Sequence, residues 1–240
     1  VELGLSLAGL DRSDGLPWSG GAKAALRWAG GLGFRAVSLD GTALRARDLD
    51  RSARRDLAAT LRRLGLTLAG IDLWIPPGHF ADPPHVDRAV AAVVGALELA
   101  GELRDLDAGT TPVISVALSD NTDAGTVSAL RAASEGVDVP LADHAWPAHE
   151  SLGVGLDPVT VLLAGDDPVA QAAALGDRLV AARLSDADGA GRAEPGETLD
   201  LLAYRATLDI AQIRSVALDL RGLPEQERAA QRAKQNWSSL

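Results

Sequence analysis

A chain of 240 residues with 47 % hydrophobic side chains can fill a core, but with 3 % aromatics that core must be Ala, Leu and Val. With 33 acids against 23 Lys and Arg the formal charge is −10, a surface that repels phosphate backbones and argues against nucleic-acid partners. The absence of cysteine excludes disulfides, thiolate metal sites and thiol nucleophiles, and no apolar run approaches the roughly 18 residues of a membrane span. No signal peptide precedes Val1, so the expectation is a cytoplasmic protein without a membrane partner.

Strand-like and helix-like segments alternate along the chain. Glu2 to Ala8 alternates as a strand, and Ala22 to Leu32 has helical spacing with Gly33 at its end. A strand over Arg35 to Asp40 is followed by a helix from Ser52 to Leu64, stopped by Gly65. Strand Thr67 to Trp74, helix Pro83 to Leu103 and strand Pro112 to Ser119 come next, then helix Ala124 to Glu135 and strand Val137 to His144. Gly153 to Asp157 is the sixth strand, with helix behind it to Gly176. Leu179 to Ser185 and Ser215 to Leu220 complete the strands around a helix over Leu199 to Ala211, and a last helix begins near Pro224. Eight strand–helix units without a linker predict one α/β domain over residues 1–240, a closed (β/α)8 TIM barrel. An open doubly wound sheet is the alternative, but Ala8-Gly9-Leu10-Asp11 is not the Gly-rich turn that such a sheet carries after its first strand. The short stretch between His144 and Gly153 leaves no room for a full crossover helix, so the fifth unit should be shortened.

Seven of the apolar runs end at or beside an aspartate, and strand parity sorts these acids. Asp40, Asp72, Asp157 and Asp219 share the small, inward-facing set with Trp74, His144, Arg183 and Arg221, whereas Asp120, Asp143 and Asp186 fall in the other set and read as loop or helix caps. A barrel mouth so rich in ionisable groups implies a pocket, because burying them unpaired would cost several kcal/mol each.

Three phrases resemble the sugar-phosphate isomerase/epimerase family with the xylose isomerase-like TIM barrel: Leu32-Gly33-Phe34-Arg35-Ala36-Val37, Gly153 to Pro158, and Leu184-Ser185-Asp186-Ala187-Asp188. The resemblance implies one divalent metal (Mn, Mg or Zn) held by a Glu ending strand five, an Asp ending strand six, a nearby His and a Glu ending strand eight. Here Ala142 stands at the first position and Asp157 at the second. Thr160, Ala181 or Arg183 stand where the His belongs, and Asp219 occupies the last. Two carboxylates of a four-ligand set leave the metal site incomplete, and no cofactor is assigned.

Two functions of different classes follow. As an isomerase or epimerase of a small sugar or sugar phosphate, the chain would use Asp72, Asp157 or Asp219 for proton transfer next to a carbonyl, with His144 or Arg183 stabilising the enediolate oxygen. Asp40, Trp74, Arg221, Trp18 and His79 would line the substrate site, the indoles offering flat faces to sugar C–H groups. As a degenerate barrel, it would bind a polyol, another small molecule or a protein without turnover. Asp188-Gly189-Ala190-Gly191-Arg192 adds a weak phosphate-loop signal, and self-association is left open.

Overall fold

The computed structural model describes residues 1–240 except Arg12, Asp14, Ala108, Gly109 and Ala190, together with the side chains of Arg47 and Asp107. Eight parallel strands close into a barrel: β1 (Glu2–Ser6), β2 (Ala36–Asp40), β3 (Thr67–Asp72), β4 (Val113–Val116), β5 (Leu141–Asp143), β6 (Gly153–Leu156), β7 (Leu179–Leu184) and β10 (Ser215–Leu218). Pairing of Glu2 with Ser215 and Leu5 with Leu218 closes the ring between first and last strands. A two-residue-per-strand hairpin, β8 (Asp186–Ala187) and β9 (Arg192–Ala193), follows β7 and stands apart from the barrel.

The connecting helices are α1 (Ala22–Gly31), α2 (Gly41–Leu44), α3 (Arg51–Leu64), α4 (Pro83–Asp107), α5 (Ala124–Val137), α6 (Pro158–Leu163), α7 (Pro168–Leu175), α8 (Leu201–Ile210) and α9 (Gln226–Ser238). Aspartate starts six of them: the side chains of Asp40, Asp50, Asp123, Asp157, Asp167 and Asp200 each accept a hydrogen bond from a first-turn N–H. Pro158 and Pro168 occupy the first helical position, where a missing N–H costs nothing. Gly65 ends α3 in the left-handed region at φ 62°.

Several boundaries differ from the sequence reading. The helix expected to stop at Glu135 runs on to Val137 and is closed by Asp138 at φ 52°, so strand five begins only at Leu141. Val137 and Val139 are β-branched and read as strand, but Asp138 and Val139 donate back to Glu135 and Ser134 carbonyls and belong to the helix cap. The helix behind strand six is two helices, parted at Gly165 by its positive φ. Between β5 and β6 no helix forms, as the short spacing requires.

Bulky strand residues point outward into the helical layer. Leu5, Val37, Ile71, Ile114, Leu156, Leu184, Val216 and Leu218 are fully buried there, each such side chain contributing about 1.5–3 kcal/mol. The barrel axis receives Gly4, Gly70, Gly155, Ala181 and Ala217 instead. Among the described residues no helix is long and apolar enough to cross a membrane.

Candidate functional site

The C-terminal ends of β3, β7 and β10, with the residue following β6, bring Asp72, Arg183, Asp219 and Asp157 together, joined by Arg221 and by Arg192 of β9. Asp157 is the centre. Its Oδ2 lies 3.4 Å from Arg183 Nη1, 3.0 Å from Arg192 Nη2 and 3.2 Å from Arg221 Nη2, while Oδ1 accepts from Ser185 Oγ at 2.6 Å. Arg183 also reaches Asp72 Oδ1 at 3.3 Å, and Asp72 accepts from Ser6 Oγ. Asp219 is gripped by Arg221 through Nε and Nη2 and meets Arg192 Nη1 at 3.1 Å. That last contact is an ion pair off hydrogen-bond geometry, so Nη1 remains a buried donor without an acceptor.

Three guanidiniums against three carboxylates give a network with no net charge. Burial alone would raise the Asp157 pKa, but Arg192, Arg183, the Ser185 hydroxyl and Arg221 outweigh it and hold the acid well below the usual carboxylate range. Arg183 is held in its charged form by Asp72 and Asp157 against the cost of its own burial. Burial pulls Arg221 down slightly despite Asp219.

Trp74 stands over this network. Its ring centroid is 3.0 Å from the Arg221 guanidinium carbon and 4.8 Å from that of Arg183, so cationic stacking engages the indole expected to offer a bare face to a sugar. Trp74 Nε1 is buried without a partner.

His144 follows β5 and is 3 % exposed. Its Nε2 lies 3.1 Å from Ser115 Oγ and its Nδ1 has no partner. The ring covers Gly155, where an added Cβ would come within 2.3 Å of Nε2, so only glycine admits the imidazole here. Burial first, and Arg183 second, push the His144 pKa well below the ordinary imidazole value, and the ring is neutral at pH 7.

Of the remaining sequence candidates, Asp40 caps α2 by accepting from Ala43 N. Trp18 is not at the mouth: it is 4 % exposed, packs against Trp28 with centroids 4.2 Å apart and donates to the Asp11 carbonyl. His79 stacks on His85 in a groove that also contains Trp74, beside the network rather than in it. Asp143 and Asp186 organise loops, as their parity implied. Asp143 accepts from the N–H groups of Leu118, Ala145 and His149, and Asp186 Oδ2 from four consecutive ones, Gly196 to Leu199. Of the Gly-rich loop, Ala190 lies outside the described residues, while Arg192 turns inward to Asp157 and Asp219. Sequence parity could not place that arginine, since the hairpin lies off the barrel; its signal was an Arg beside a Gly turn after strand seven.

A divalent cation does not fit these residues. Asp72, Asp157 and Asp219 each already face a guanidinium, and the described residues contain no group of three or more His, Asp or Glu side chains placed to hold a metal ion.

No protein-family profile and no curated protein sequence matches the chain. Solved structures do. D-psicose 3-epimerase from Clostridium cellulolyticum H10, determined with D-tagatose, is 15 % identical with a TM-score of 0.73 over 100 % of this chain and 99 % of its own. A 3-keto-D-glucoside 4-epimerase from E. coli gives 14 % and 0.72, covering 100 % of each chain. A xylose isomerase domain protein from Planctomyces limnophilus gives 13 % and 0.67, over 99 % of this chain and 94 % of its own. At these identities the shared property is architecture, and by architecture this chain is a xylose isomerase-like TIM barrel.

Proposed function

We propose that the barrel mouth recognises a small neutral polyhydroxylated molecule, a sugar rather than a sugar phosphate, and holds it without carboxylate-driven proton transfer. The observation that carries this reading is the balanced network with two buried donors left over, Trp74 Nε1 and Arg192 Nη1. A sugar hydroxyl can donate to a carboxylate and accept from a guanidinium, so a balanced array binds it without importing charge. A phosphate would have to compete with Asp157 for the same arginines. The fold neighbours named for sugar epimerisation support a carbohydrate ligand.

An isomerase or epimerase needs a base with a pKa near the working pH. Asp157, held ionised by three guanidiniums, is a poor one. One observation favours turnover as a second reading: His144 is neutral, with an unpartnered ring nitrogen buried beneath the network.

Titration calorimetry over neutral ketoses and aldoses and their phosphates separates these readings. Neutral sugars should bind in preference to their phosphates, and Arg192→Ala should weaken binding about tenfold or more, as expected for losing a charged hydrogen bond. No binding of any neutral sugar, or preference for the phosphates, would sink the proposal. Deuterium entering a bound sugar from heavy water would establish turnover in its place.

A further inference from the structure

The barrel interior is not filled. A cavity of about 380 Å3 runs up the axis from the N-terminal ends of the strands, entered among Glu2, Thr67 and Ser215 and roofed by Asp72, His144 and Arg183. Interiors of this fold are normally occupied by layers of bulky side chains. Here the inward positions carry Gly70, Ala181 and Ala217, and both alanines remain partly accessible although they lie inside the barrel.

We propose that this chamber is a second binding site, opening on the face opposite the charged mouth, for a short neutral polyol of three to five carbons. Its roof brings no net charge, because the Arg183 guanidinium faces the Asp72 carboxylate and His144 is neutral. An ionic ligand would therefore enter a confined space without a counter-charge, a costly transfer. The walls alternate alanine methyls with the hydroxyls of Ser38 and Ser115, which matches a chain of C–H and O–H groups. His144, fully buried and lining the same chamber, has one ring nitrogen unpartnered. The volume lies within the range of ligand pockets, about 300–1,000 Å3, and admits a short polyol with room for water beside it.

The chamber shares Arg183 and Asp72 with the mouth but is reached from the other end, so the two proposals fail separately. Erythritol and glycerol serve as probes, at tens of millimolar, with the full chain. In the unmodified protein, nuclear Overhauser effects should connect erythritol C–H protons to the Ala181 and Ala217 methyl groups. Ala217→Leu, which fills the axis, should raise the erythritol dissociation constant about tenfold or more, whereas Arg192→Ala at the mouth should leave it unchanged. Should Ala217→Leu fail to fold, Ser38→Ala removes a wall hydroxyl without adding volume and should weaken binding severalfold. Overhauser contacts to water alone, binding that Ala217→Leu or a folded Ser38→Ala does not weaken, or loss of binding in Arg192→Ala would each overturn the proposal.

Discussion

Replacing Asp157 by Asn removes one charge from the centre of the network and almost no volume. The amide oxygen can still accept from Val159 N at the start of α6 and from Ser185. What disappears is the anion facing Arg183, Arg192 and Arg221, leaving three guanidiniums with Asp72 and Asp219. Breaking a buried ion pair by neutralising one partner costs about 3–5 kcal/mol, and the surviving carboxylates place this case near the lower end, about 3 kcal/mol. The pH dependence gives an independent check. Because the folded-state pKa is depressed, Asp157 contributes its full stabilisation above the unfolded value, near 3.8, and loses it as the pH falls through the folded value. Urea titrations at pH 7 and at successive steps down to pH 3 should show the Asn variant less stable at neutral pH, with a shallower loss on acidification. Equal stability at pH 7, or an unchanged acid slope, would show that the three arginines do not engage Asp157 in solution.

Asp186→Ala should cost about 2–4 kcal/mol in urea, since four consecutive backbone N–H groups lose their shared, fully buried acceptor. Gly155→Ala drives a Cβ into the His144 ring and should destabilise by about 1–3 kcal/mol while breaking the contact to Ser115, visible as a shifted His144 ring resonance. His144 itself should stay neutral by NMR as the pH falls through the ordinary imidazole value, a full titration near 6.5 being the contrary result. Because burial and Arg183 oppose its protonation, His144 leaves stability unchanged above the unfolded value, near 6.5, and lowers it as the pH falls below. Arg221→Lys keeps the charge but loses the planar stack on Trp74 and the two-point grip on Asp219. Indole fluorescence should change, with stability falling by about 1–2 kcal/mol.

The barrel was legible because the sequence alternates on two scales. Units alternate between strand and helix, and within strands bulky residues alternate with small or polar ones. That second alternation alone assigns Asp72, Asp157, Arg183, Asp219 and Arg221 to one place. It failed where periodicity ends. Trp18 and His79 belong to loops, whose side chains follow no repeat, and one packs into the helical layer while the other stacks on a neighbouring ring. Arg192 comes from a hairpin too short to carry a pattern. The pairing of Asp72, Asp157 and Asp219 was also out of reach, since it depends on how three long side chains from different elements divide three carboxylates between them.

The sparse barrel axis has a consequence for how this chain can change. Its folding free energy is gathered on the outer wall, where Leu, Ile and Val meet the helices, and little of it comes from the lumen. Substitutions along the axis therefore act on what the lumen admits, while those on the outer wall act on whether the chain folds. Such a division lets the lumen drift or be redesigned over many sequences with one architecture preserved.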